Sequence, residues 1–522
     1  MKKRMLSGFL CALMVISLAT GCQSKSETAK KSAAPVKKDV FTIAVSSDPG
    51  NNLNVLNTDS RAAYMAIKLV YSPLYIVTAK GTEFYLADSM KSSADGLTYT
   101  MKLKDGVKWS DGQAFTADDV IFTLEKLQDP KSGSINSDAL KINGKPFKMT
   151  EPDHTTVVFT LPAASSSFEE MLSGLFIMPK HVYENVKDIT NCKENAKPVG
   201  TGPYILSDYK EGQYIKYKKN PDYFGGAAKI GSIVLRVIED DNTAKKALEK
   251  GEINAWSPTP ADMAEIKKQD NLSTYTYSEG LVTYVGFNVA SPRVKDANLR
   301  KGIMYALDRA TMIKASYISG DYAKQNVSFL PTDNKFWTDN VEKYDNDLTK
   351  AKKLLSSASG AKETLKLCYP NDDNIFKNLA LVIQEECKAA GVKVELCAID
   401  FDAYYNAIND PKSTAYDMFL NSYIYGNDPY MYAPLFVSTG DDTLKYKNTE
   451  LDSLFKEGGT TLDDTKRQAI YAKVQKLAAD EGIIYPICDE MKIYSVSSSV
   501  KGVKDAGLIP IFAFDDVTKL SF

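Results

Sequence analysis

A chain of 522 residues, 44% hydrophobic and 25% charged, holds material for about three ordinary domains with a sizeable core, which excludes a fibrous or wholly disordered protein. A formal net charge of -2 excludes nucleic acid as the main partner, since that partner demands a basic footprint. The 30 tyrosines are either packing material or the lining of pockets for amphipathic ligands.

The first 22 residues, MKKRMLSGFLCALMVISLATGC, read as an export signal. Lys2, Lys3 and Arg4 precede an apolar run from about Gly8 to Ala19, and that run is too short to span a bilayer. Ala19-Thr20-Gly21-Cys22 resembles the lipobox of bacterial lipoproteins, with Ala19 where Leu is usual. The resemblance implies that Cys22 is lipidated and becomes the mature N-terminus. Residues 23–38, QSKSETAKKSAAPVKK, offer almost nothing to bury and read as a disordered tether of at most ~55 Å.

VFTIAV (40–45) reads as a strand and RAAYMAIKLV (61–70) as a helix. LTYTMKLK (97–104) and DHTTVVFTL (153–161) alternate and read as strands. Between them, VKWSDGQAFTADDVIFTLEKL (107–127) reads as strand, turn and capped helix. Asp111-Gly112 marks the turn and Thr116 the N-cap, with Asp119 placed to reach back to it. Ala117, Val120, Ile121 and Leu124 then fall on one face. Capping accounts for Asp118 and Asp119 without a catalytic dyad. Trp109 is expected to be packed.

Thr243–Lys250 reads as a short helix closed by Gly251, and Asn298–Arg309 as one helix with Leu299, Ile303 and Leu307 aligned. TLKLCY (364–369), a helix over 376–390 ended by Gly391, and VKVELCAI (392–399) form a βαβ unit, which demands a parallel sheet. A helix from Asp463–Asp464 to Ala479 follows.

Catalytic and metal chemistry find little support. His154 and His181 are the only histidines, and both read as hydrogen-bonded structural residues. HExxH, GxSxG and P-loop patterns are absent, and Gly200-Thr201-Gly202-Pro203 suits a rigid turn. Cys192, Cys368, Cys387, Cys397 and Cys488 lack metal or redox spacing and read as small buried residues, with Cys368 and Cys397 able to face each other on neighbouring strands. No enzyme, cofactor or metal is expected.

Several stretches together resemble the extracytoplasmic solute-binding proteins of peptide and nickel ABC importers, family 5. They are DGLTYTMKLKDGVKWSDGQAFTADDVIFTLEK (95–126), PVGTGPY (198–204), KKNPDYFGG (218–226), ALEKGEINA (247–255), YVGFNVASP (284–292), NLRKGIMYALDR (298–309) and IYPICDEMKIYSV (484–496). The resemblance implies an α/β, two-lobed periplasmic-binding-protein type II fold with an extra subdomain inserted in lobe I. It places the core of lobe I in 39–72, 198–282 and 489–522, the insertion in 73–197 and lobe II in 283–488. It implies capture of a peptide or other small solute between hinged lobes, and delivery to an ABC permease and ATPase complex. The receptor would be a monomer held to the membrane by its lipid.

In peptide-binding relatives an aspartate in a W-x-x-D-x-x-D/E-P stretch holds the peptide amine. SYIYGNDP (422–429) stands there, with Tyr425 at the aspartate position and Asp428-Pro429 completing the pattern. Tyr423, Tyr425, Asn427, Asp428 and Tyr284 are therefore the expected ligand wall, and Cys22 the lipid site. Peptides are the first ligand class. An oligosaccharide stacked on tyrosine faces and a nickel chelate remain open, as does a lipoprotein that senses without importing.

Overall fold

The computed structural model describes residues 39–522 except 59, 79–80, 136, 138–139, 425 and 441–442. The expected export signal, tether and Cys22 lie outside the described residues. Among these, no helix is long and apolar enough to cross a membrane.

Two long antiparallel strands, Leu272–Phe287 and Ile484–Ser497, run side by side through an 11-stranded sheet. On one side of them lie Ala255–Trp256, Val40–Val45, Ser232–Val237 and the hairpin Tyr204–Lys210/Tyr214–Lys219. Val40–Val45 is parallel to both of its neighbours. On the other side come Met418–Tyr423, Thr364–Pro370 and Lys393–Ile399. The last two are parallel and are joined by the helix Asn374–Ala390, which forms the βαβ unit. Gly391 ends that helix at φ 93, a left-handed conformation that favours glycine.

The register of the long pair shifts twice, between Ser278 and Val282 and again between Thr283 and Tyr284. Ser278 pairs with Met491 and Val282 with Asp489, so residues 279–281 stand opposite the single residue Glu490. Gly280 lies in this bulge at φ 72.

The inserted subdomain has its own four-stranded sheet, in the order Ala87–Ser92, Thr98–Leu103, Thr156–Thr160, Lys148–Asp153. The helix Ala117–Gln128 packs on it, burying Ala117, Val120, Leu124 and Leu127. Asp119 accepts from Thr116 N–H at 3.0 Å, from Lys180 N–H at 2.8 Å and from Trp109 Nε1 at 3.3 Å. Asp118 pairs with Lys180 at 2.7 Å. Trp109 is 1% exposed, against Phe115 and His181. The segment is scaffold, as expected.

Three clusters of buried side chains hold the body together. One fills the first lobe and its insertion, from Phe41 and Ile43 to Trp109 and Phe159. The second runs from Ala44 and Ala247 through Trp256 to Ile303, Leu365 and Leu379, so it passes beneath the junction of the lobes. The third, around Phe419, Tyr432, Phe436, Phe455 and Tyr471, fills the other face of the second lobe.

Three expectations need correction. Residues 298–309 are not one helix: Ala297–Ala306 ends at extended Leu307, and Asp308 caps a second helix, Arg309–Tyr317, by accepting from Ala310 N–H. The strand expected over 153–161 is only Thr156–Thr160, because Asp153 closes a turn on the side chains of Thr155 and Thr156. The imidazole of His154 is exposed, 3.6 Å from Asp105, whereas His181 is hydrogen-bonded to Asp111 at 2.8 Å. Cys368 and Cys397 are register partners on neighbouring strands, yet both are free thiols.

Candidate functional site

Two cavities open between the lobes. The smaller, of about 340 Å³, lies against the bulge. It is lined by Val45 and Trp256 at the carboxyl ends of two parallel strands, by Arg61 and Met65 of the helix Arg61–Val70, and by residues 490–494. The second lobe adds Tyr317 and Ile375, the latter in the first turn of the Asn374–Ala390 helix. A crevice outside the carboxyl ends of parallel strands is where α/β sheets ordinarily bind ligands, because the chain diverges there.

One wall of this cavity is a charge network at the bulge. Arg61 donates to the two Glu279 oxygens at 2.7 and 2.8 Å, and Tyr277 Oη and Ile511 N–H donate at 3.2 and 3.3 Å. Burial alone would push Glu279 upward, but the hydrogen bonds and charge of Arg61 outweigh it and hold the carboxyl below its ordinary value. Glu279 is thus a fixed anion that joins the helix Arg61–Val70 to the bulge.

The larger cavity, of about 570 Å³, lies between the inserted subdomain and the second lobe. Val77, Glu169 and Glu170 line it from the insertion, and Asn427, Asp428 and Arg467 from the second lobe. The lobes touch directly at its edge. Asn427 N–H donates to Glu170 Oε1 at 3.0 Å, Asn427 Nδ2 to Val77 C=O at 3.1 Å, and Ser166 N–H to Gly459 C=O at 2.9 Å. Asn334 holds Asn427 in place by donating to its carbonyl at 2.9 Å. Gly426 permits the approach, since a Cβ there would meet Glu170 Oε1 at 2.6 Å. Burial raises Glu170 to about 7, and the nearby Asp428 charge pushes the same way against the Asn427 hydrogen bonds.

The expected ligand wall is only partly assembled at these cavities. Asn427 and Asp428 line the larger one. Asp428, however, is ion-paired with Arg467 at 2.7 and 2.8 Å and caps Tyr430 N–H at 2.8 Å, both side chains being buried. A peptide amine would have to displace Arg467 to reach it. Tyr284 is 2% exposed and lines neither cavity; it packs on Phe419 and Tyr423 with ring centroids 6.1 and 6.0 Å apart. The neighbouring strand explains this, since Tyr284 is the register partner of Asn421 and so shares a face with Phe419 and Tyr423 in the core of the second lobe. Tyr425 lies outside the described residues. The sequence reading missed Arg61, Trp256, Tyr277 and the 490–494 stretch. The aromatic Ala255-Trp256 ending of a short strand was the one local signal for them.

Two α/β lobes sharing one interrupted strand pair, with cavities enclosed at their junction, define a solute-binding protein of the two-lobed type. The model of bacterial extracellular solute-binding proteins, family 5, matches residues 83–443, and the chain belongs to that family. It is 28% identical over 509 residues to the oligopeptide-binding protein AppA of Bacillus subtilis, covering 91% of each chain. Among solved structures it resembles the ABC transporter substrate-binding protein CtaP of Listeria monocytogenes, with TM-score 0.89, 38% identity and 92% and 99% of the two chains covered. A putative peptide-binding protein AppA from Clostridium difficile gives TM-score 0.85 at 35% identity, with 92% and 99% covered. Structural neighbours of this family share the type II periplasmic-binding fold.

Proposed function

We propose that this chain captures peptides outside the cytoplasmic membrane and presents them to the permease and ATPase of an ABC importer. The observation that carries the reading is the pair of cavities at the junction of the lobes, walled by both. A solute there touches both jaws, so its binding energy favours the closed arrangement over the open one, and the permease can tell loaded from empty receptor by shape. The relatives named oligopeptide-binding and peptide-binding support peptides as the ligand class. The chain performs no covalent chemistry on its cargo in this reading. It works as a monomer, held to the membrane face by a lipid on Cys22.

Mass spectrometry of the solute that co-purifies with the chain tests the ligand class. Peptide masses are expected, and repeated recovery of a sugar or a nickel chelate in their place would refute it. Loss of labelled-peptide uptake on deletion of the chain is expected for import. Unchanged uptake would leave sensing as the role.

A further inference from the structure

The polar ends of three side chains on the smaller cavity lack a close partner in the fold. Glu490, Lys492 and Tyr494 occupy alternate positions of the strand Ile484–Ser497, hence one face of it, and all three line the cavity. Among the described residues, the only polar contact of Glu490 is the Tyr317 hydroxyl at a long 3.5 Å. Lys492 makes no ion pair or hydrogen bond among the described residues. The Tyr494 hydroxyl is buried without a hydrogen-bond partner, its ring fixed edge-on against Phe514 at 5.4 Å. Buried polar atoms are rarely left unpaired unless something else comes to meet them. In the larger cavity Asp428 is matched by Arg467 and Asp464 by Lys335, each at 2.7 Å, while Glu170 is met by the Asn427 amides.

We propose that the smaller cavity grips the two charged ends of a short zwitterionic peptide, Glu490 taking its ammonium group and Lys492 its carboxylate. The inference rests on the peptide-capture reading and deepens it. A space of about 340 Å³ stands at the low end of ligand pockets, ~300–1,000 Å³, and suits one or two residues. Positions i and i+2 of a strand are ~6.7 Å apart, and two extended residues span ~7 Å, so the backbone spacing of this pair matches a dipeptide in scale. Tyr494, two positions beyond Lys492 on the same face, supplies a hydroxyl at the carboxylate end. Trp256 and Met65 give the side chains an apolar floor. The other charges around the cavity leave this pair available. Arg61 is engaged by Glu279, and Asp241 stands exposed at the rim. Burial pushes Glu490 upward, Asp373 and Glu279 add to the rise, and Lys492 and Arg61 offset only part of it.

Calorimetry on the full chain tests this with a panel of free dipeptides, their N-acetyl forms, their C-terminal amides and a nonapeptide. The wild type should bind at least one free dipeptide, and each blocked form about tenfold or more weakly. Glu490→Gln should erase the penalty for acetylation and keep that for amidation, while Lys492→Met should do the reverse. The melting temperature of each empty variant is measured first. If Glu490→Gln does not fold, Glu490→Asp replaces it, with a reduced acetylation penalty expected. Equal penalties in wild type and variants would overturn the pocket assignment and leave peptide capture standing. So would tight binding of the nonapeptide with no dipeptide bound. No binding of any peptide would overturn both.

Discussion

The backbone amide of Asn427, in the second lobe, donates to the carboxylate of Glu170, in the inserted subdomain, at 3.0 Å. Two elements far apart in the chain therefore meet through a single titratable group. Opening the lobes would return Glu170 to water and free Asn427, so this contact belongs to the closed arrangement alone.

That linkage gives closure a pH dependence. Glu170 is raised from 4.5 to about 7 by burial first and by Asp428 second. The charged groups that line the cavity with it are Glu169, Lys335, Asp428, Asp464 and Arg467, and the amides of Asn427 donate to it. An acid raised on closing binds its proton more tightly when closed. Its contribution is fully present below about 4.5 and is lost as pH rises through about 7. X-ray scattering of the ligand-free chain should show a larger open fraction at pH 8 than at pH 5.5. Glu170→Gln should flatten the profile, and an unaltered profile in that variant would refute the assignment.

Gly426→Ala should obstruct the same contact. The new methyl would meet Glu170 2.6 Å away, on a residue whose φ of 105 side chains rarely adopt. Weaker binding of every ligand is expected, together with a larger radius of gyration in the ligand-saturated chain. Wild-type compaction on loading would show that the closed state does not need this approach.

Asp428→Asn separates two roles for that carboxylate. Removing one member of a buried ion pair costs roughly 3–5 kcal/mol, here by leaving Arg467 uncompensated. A large fall in the melting temperature of the empty protein is therefore expected. Weakened ligand binding with the melting temperature unchanged would restore Asp428 as a ligand anchor.

Trp109→Ala should act on stability alone. The ring is 1% exposed, and truncations of this kind cost roughly 3–5 kcal/mol. Denaturant midpoints should fall, while ligand affinity at low denaturant stays within about twofold. A selective loss of affinity would place Trp109 in the site.

What could be read from the sequence was mostly local. Thr116 to Asp119 announced a helix start, and the apolar period over 376–390 with Gly391 announced a helix and its end; both appear in the structure. The break at Leu307 was missed because the apolar period runs on through it, and only the Asp308 cap interrupts the helix. The site was harder to see because its contacts are distant. Arg61 and Glu279 are 218 residues apart, and the partner that neutralises Asp428 lies 39 residues further on. Asp428 is adjacent to its motif neighbours, so it looked free when only the chain was in view. Glu490 and Lys492 sit in a stretch that reads as an ordinary strand, and only the gap left around them marks them out.

In the proposed capture cycle the bulge at 279–281 would act as the fulcrum between the lobes. Glu490 is both the residue opposite that bulge and a wall of the smaller cavity. Cargo seated there would press on the fulcrum itself, with a very short arm on its side. The long arm ends where Glu170 meets Asn427, so a slight local adjustment beside the cargo would be magnified into wide travel at the distant rim.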